Sequence, residues 1–309
     1  MKKLIHAGSL AVVLAALLWS LDGLLRRTLY TLPAPVIVFW EHLLGLAVLA
    51  PVLIYSWQKF KQLTKKQWAS IAFVALLSGA LGTILYTAAL GQVQYIPFSV
   101  VVLLQQLNPI FAIATAAFLL KERLDRRFII LSAVALAGAY LATFPDLGVN
   151  FATGSGTIIA ALLAIGAAAS WGIGTAFSKY ALKGTSYVHI TGLRFGMTVI
   201  FALLFAVGTG SGGAIGALTW EQLWYLVAIT FSTGLVALLI YYYGLQKVQA
   251  SRAAILELAW PLSSVIIGWW FLGQGLTVTQ ALGAGALMIT TYLLAMSDRS
   301  ATDGHDIAS

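Results

Sequence analysis

Apolar residues gather into ten stretches along the chain, at about 7–27, 35–56, 68–90, 97–120, 127–145, 157–179, 187–207, 221–244, 250–272 and 278–296, each bounded by charge, Gly or Pro. Every stretch is too long and too uniformly apolar for a buried strand. Backbone facing lipid must satisfy its hydrogen bonds within its own segment, so each reads as a helix, and about 20 apolar residues suffice to span a bilayer. The pattern therefore predicts an all-α membrane protein with ten transmembrane helices. Residues 297–309 are polar and are expected to form a disordered cytoplasmic tail.

Composition agrees, since 60% of the residues are hydrophobic, 9% are charged and the mean hydropathy is +0.91. Soluble domains carry about 25% charged residues, so a soluble fold is excluded. The net charge of +8 would suggest nucleic acid in a soluble protein, but here the basic residues occupy short loops. With the N-terminus inside, the inner segments hold Lys2 and Lys3, then Lys59, Lys61, Lys65 and Lys66, then Lys121, Arg123, Arg126 and Arg127. Lys179, Lys183, Lys247, Arg252 and Arg299 complete fifteen of the eighteen; only Arg26 and Arg27 lie outside, and Arg194 falls within a span. That asymmetry predicts a multi-pass protein of the cell (inner) membrane with both termini cytoplasmic, and no nucleic-acid partner. The Met1-Lys2-Lys3 start could be taken for a secretory signal, but the apolar run continues through Trp19 with no A-x-A site, so it reads as the first helix. With no cysteine, disulfides and thiolate metal sites are excluded.

Sliding the sequence on itself by 152 residues aligns Trp19 with Trp171, Arg27 with Lys179, His42 with Arg194, Ser99 with Ser251 and Asn108-Pro109 with Trp260-Pro261. Two repeats follow, 7–145 and 157–296, each with five spans. Because five is odd, the second half must enter from the opposite side, which is the inverted-repeat arrangement of secondary transporters.

The run Asn108-Pro109-Ile110-Phe111-Ala112, followed by Leu119-Leu120-Lys121-Glu122-Arg123-Leu124, resembles the end of an EamA repeat, and Trp260-Pro261-Leu262 with Leu272-Gly273-Gln274-Gly275-Leu276 matches the same pattern. The chain thus resembles the EamA-type ten-helix exporters of the drug/metabolite transporter superfamily over nearly its whole length. It departs from them at Gln274, where glutamate is common, and at His42, where arginine is frequent. The resemblance implies a substrate cavity between the halves that opens alternately to each side, with the fifth and tenth helices peripheral. Family members export amino acids, drugs or other metabolites, and some import choline or exchange nucleotide sugars.

An ionisable side chain in the hydrocarbon region costs about 2.5–3.5 kcal/mol on insertion scales, so Asp22, Glu41, His42, Arg194 and Glu257 are candidates for function. Glu257 stands three residues before Trp260-Pro261, where a proline frees a backbone carbonyl, and its repeat mate is the neutral Gln105. It suits a substrate ammonium or a proton; the alternative is an internal clamp with Arg194 or Arg252. Glu41 and His42 are adjacent, hence about 100° apart on a helix, so one of them is expected at the cavity, where either could exchange a coupling proton. The alternative for Glu41 is a pair with Arg26 or Arg27 near the outer surface. Asp22 and Arg26, spaced i,i+4, are expected to form a helix-surface pair. Arg194 could receive a substrate carboxylate or neutralise an acidic neighbour.

Trp57, Trp68, Trp220 and Trp224 sit near loops and fit an interfacial belt, whereas Trp19, Trp171 and Trp260 fall within spans and could face an ammonium or an aromatic substrate. Tyr86, Gln105, Asn108, Tyr241 and Tyr242 could add hydroxyl or amide contacts. The expected substrate-binding set is Trp19, Glu41, Tyr86, Gln105, Asn108, Trp171, Arg194, Tyr242, Glu257 and Trp260, with Glu41, His42 and Glu257 as proton-coupling candidates. The sequence has no Walker lysine, Gly-rich phosphate loop or H-E-x-x-H, so no cofactor, metal or ATP-driven step is expected.

These residues lead to the expectation of a secondary transporter, an exporter of a small amine-bearing metabolite such as an amino acid or an aromatic or quaternary amine. It would work by alternating access, with proton coupling, as a monomer or homodimer in the bilayer. An importer or facilitator of a choline-like cation is the alternative. An intramembrane lipid-modifying enzyme using Asp22, Glu41 and His42 is a third reading, which lacks a nucleophile.

Overall fold

The computed structural model describes residues 7–92, 101, 104–143, 155–261, 263 and 277–297. These form ten helical segments and no strand: α1 Ala7–Arg26, α2 Ala34–Tyr55, α3 Lys65–Gly91, α4 Asn108–Leu120, α5 Arg126–Thr143, α6 Ser155–Ala181, α7 Tyr187–Gly208, α8 Trp220–Lys247, α9 Ala250–Leu256 and α10 Val278–Ser297. Among the described residues, seven are long and apolar enough to cross a membrane; α4 is shorter. The first part of the expected 97–120 span, most of 250–272 beyond α9, and the Gln274 and Ser99 positions lie outside the described residues, as does the tail apart from Ser297, which ends α10.

Local signals explain several ends. Pro35 occupies the first turn of α2, where its missing N–H costs nothing. Thr64 accepts from Gln67 N while Gln67 reaches back to Thr64 N, and Thr219 with Gln222 repeats this capping box at the start of α8. Each boxed helix then passes through a π-helical stretch, Ala75–Leu81 in α3 and Thr230–Gly234 in α8. The two caps stand 155 residues apart, not 152. The single offset read from helices one, two and four therefore gains three residues at the third helix of each half.

Helix packing maps onto itself when the halves are exchanged. Helix α2 packs on α7, α5 on α10 and α4 on α9, while α1 on α8 is matched by α6 on α3. The pair α5 and α10 meets where Gly138 faces Gly283, and α10 also packs on α9. Helices α1 and α8 cross at Gly8 and Gly244, and a Cβ on Gly244 would stand 2.7 Å from the Gly8 carbonyl oxygen. Outward positions such as Leu14, Ile54, Phe118, Leu162 and Leu204 are exposed and apolar, as lipid requires. Trp57, Trp220 and Trp224 are likewise exposed, whereas Trp68 is half-buried against the core.

Candidate functional site

A cavity lies between the halves, with about 1230 Å³ of empty space including its mouth. Two helix interruptions deliver polar groups to it. Pro109 cannot donate to the Gln105 carbonyl, nor Pro261 to that of Glu257, so the chain turns at both places instead of running on. Trp260 N bonds the Glu257 carbonyl at 3.1 Å, and Leu107 N bonds Leu104 O at 3.2 Å. Gln105 and Glu257 consequently face the same space from opposite halves.

Two aromatic pairs line the cavity. The Trp19 and Tyr241 rings lie 5.0 Å apart, and those of Trp171 and Tyr86 lie 5.2 Å apart. Trp19 and Trp171 are mates at the 152 offset, while Tyr86 and Tyr241 are mates at 155, so each pair is the image of the other. Their faces offer stacking surface to a flat ligand.

Charge is not repeated. Arg26 donates through Nε and Nη2 to both oxygens of Asp22 at 2.8 and 3.0 Å, through Nη2 to Glu41 Oε2 at 3.1 Å and through Nη1 to Thr87 Oγ1 at 3.4 Å. Thr233 from the π-helical stretch of α8 donates to Asp22 at 2.7 Å. The mates of Asp22, Arg26 and Glu41 are Gly174, Ser178 and Leu193, so the second half has no ionic cluster there. Arg194 donates to the Tyr242 hydroxyl at 2.8 Å, and Tyr242 pairs with Ser178 at 2.8 Å; the Arg194 Nε is buried without a partner. Glu257 accepts from the Tyr241 hydroxyl at 2.5 Å and from Asn108 Nδ2 at 3.3 Å.

All ten expected substrate-binding residues, from Trp19 to Trp260, line this one cavity, as do His42 and Asp22. Several expected partners differ. Glu257 has no cation at salt-bridge distance among the described residues, so the clamp with Arg194 or Arg252 does not form; hydroxyl and amide donors take that place. Arg194 has no carboxylate partner among the described residues either. Glu41 and His42 both reach the cavity, because its wall curves around α2: Glu41 turns to Arg26, and the His42 ring lies 4.7 Å from that of Phe195. A hydrogen bond from Nδ1 to the Val38 carbonyl at 2.9 Å places the His42 proton there and leaves Nε2 as an acceptor.

Asp22 and Arg26 do pair, but in the interior, where they are 8% and 2% exposed. Of the two readings of Glu41, the pair with Arg26 forms, and Arg26, counted from the sequence among the outer charges, belongs to the buried cavity lining. Ser178 and Thr233 were missed, for hydroxyls in apolar helices usually bond their own backbone.

The sequence profile of EamA-like transporters matches residues 6–144 and 158–296. The riboflavin transporter ImpX of Fusobacterium nucleatum is 35% identical, across 92% of this chain and 95% of its own length. The uncharacterized transporter YwfM of Bacillus subtilis is 26% identical across 94% of both. A crystal structure superposes with a TM-score of 0.73 over 94% of this chain and 98% of its own at 18% identity, a likeness of fold.

Proposed function

The chain belongs to the EamA-like transporter family, a membrane transporter and not an enzyme, and from that premise we propose that it carries riboflavin or a closely related flavin through this cavity by alternating access. The observation that carries the proposal is the pair of mirrored aromatic contacts in one cavity, Trp19 with Tyr241 and Trp171 with Tyr86, which offer ring faces to a flat heteroaromatic ligand. The name of the Fusobacterium relative supports it. Rocking of the halves would expose the ring to each side in turn, with affinity differing between the two states. The Lys and Arg distribution supports cytoplasmic termini in the inner membrane.

Tritiated riboflavin flux in proteoliposomes tests this. Saturable flux should fall at least tenfold in Trp19→Ala and Trp171→Ala, and absence of riboflavin flux from an active preparation would overturn the reading. Measured from both faces, the same assay reports direction, export or import.

An amine-bearing substrate remains a second reading, favoured by one observation: Glu257 is a cavity carboxylate bonded by neutral donors, beside the Trp19 and Tyr241 rings. Against it, Asp22 and Glu41 are occupied by Arg26. Glu257 is also the best-placed proton-coupling candidate, since the Glu41 carboxylate is held by an arginine. An imposed pH gradient should drive wild-type flux and leave Glu257→Gln unmoved; wild-type flux indifferent to pH would remove proton coupling.

A further inference from the structure

Among the cavity-lining side chains, Gln105 Nε2, Arg194 Nε and Asn108 Oδ1 are buried polar atoms with no hydrogen-bond partner. An orphaned buried polar atom costs free energy unless a ligand or water completes it, so three on one cavity mark what its occupant must supply. Two of the three have a fixed chemical sense. The Arg194 guanidinium can only donate, and its position is held by the Tyr242 hydroxyl. Asn108 spends its amide N–H on the Glu257 carboxylate at 3.3 Å, which pins the flip of the group and presents its oxygen as an acceptor. Gln105, 7% exposed, has no hydrogen bond to fix its amide, so it can turn either its N–H or its oxygen to a ligand. The set is therefore one donor, one acceptor and one amide that can supply either.

We infer that this set reads an imide edge, the O=C–N(H)–C=O sequence of a pyrimidinedione ring, whose two carbonyls accept and whose N–H donates. Resting on the flavin reading above, it specifies which edge of the tricycle is recognised: the imide enters the polar set while the fused rings stack on the aromatic walls. Asn108 Oδ1 takes the imide N–H, and Gln105 and Arg194 donate to the carbonyls. A simple ammonium, which has donors only, would satisfy Asn108 and leave Arg194 unpaired. An amine with no acceptor group therefore fits this part of the cavity poorly. Recognition by hydrogen bonds that the wrong ligand leaves unmade is the strongest discrimination a buried site can offer.

The test is a ligand series on the purified wild-type protein in detergent, with binding read from quenching of flavin fluorescence. Methylation at the imide nitrogen removes its N–H and should weaken binding at least tenfold relative to riboflavin, in line with a buried acceptor left unsatisfied. In Gln105→Leu, riboflavin should weaken by about tenfold while Trp and Tyr quenching at saturation is unchanged. If N3-methylriboflavin binds like riboflavin, the imide assignment is overturned and the flavin reading stands. If riboflavin fails to bind but a smaller imide heterocycle such as lumazine stabilises the protein thermally, the flavin reading falls and the imide assignment stands. If neither binds, both are overturned. The outcomes with N3-methylriboflavin and lumazine use the unaltered protein, so neither depends on a variant folding.

Discussion

Trp19 against Tyr241 and Trp171 against Tyr86 are nearly superposable contacts, whereas the positions one turn further along the same two helices, Asp22 and Gly174, share only their place in the repeat. On the Asp22 side an arginine binds two carboxylates and Thr87, and Thr233 donates to Asp22. On the Gly174 side the same space is filled by Ser78, whose hydroxyl would stand 1.7 Å from a Cβ placed on Gly174. Shape is thus repeated and charge is not. A pair of mirrored aromatic walls can hold a flat ring in either of two orientations, and the unrepeated polar groups are what choose between them.

The largest effect should come from the ionic side. Arg26→Ala strands two buried carboxylates, and removing one partner of a buried ionic group costs about 3–5 kcal/mol. Thermal melting in detergent should fall sharply, and the neutral triple variant Asp22→Asn, Arg26→Gln, Glu41→Gln should recover most of the loss. If Arg26→Ala melts like the wild type, the cluster is solvated and the contrast between the halves disappears.

A smaller effect is expected on the tight side. Gly174→Ala overpacks against Ser78 and should cost about 1–3 kcal/mol, with Ser78→Gly in the same chain restoring the melting temperature. An additive double variant would show that the two positions do not touch.

The smallest distinguishes the mirrored tyrosines. Tyr241→Phe removes the hydrogen bond to Glu257 and should cost about 1 kcal/mol. Tyr86→Phe, whose ring packs on Trp171 and whose hydroxyl bonds no carboxylate among the described residues, should be close to neutral. Equal losses in both would mean that the tyrosines act as ring and not as hydroxyl, and would weaken the case for Glu257 as the coupling group.

The spans were legible in the chain because a helix in lipid must close its backbone hydrogen bonds locally. The ends at Tyr55, Gly208 and Gly91 accordingly fall within a residue of the apolar runs. The repeat was legible from Trp and Pro positions, and with it the cavity-facing set, since matched helix breaks have to face a common centre. The sequence offered the Arg26 pairings with Asp22 and Glu41 but set them at the outer surface, because the end of a span is blurred where a charged residue sits near it.

What the amino-acid sequence determined alone is the number of helices, their halves and the family of transporter they form, all consequences of local hydrophobicity and repetition. Tertiary structure decided which ionisable groups meet. Arg26 joins Glu41 fifteen residues away, Thr233 reaches Asp22 across 211 residues, and Glu257 turns from arginine to Tyr241 and Asn108. Such pairings depend on helix crossing and on the π-helical stretches that rotate one segment against the next. No local pattern encodes them, since the energy of a buried charge is set by whatever the packed neighbours present to it.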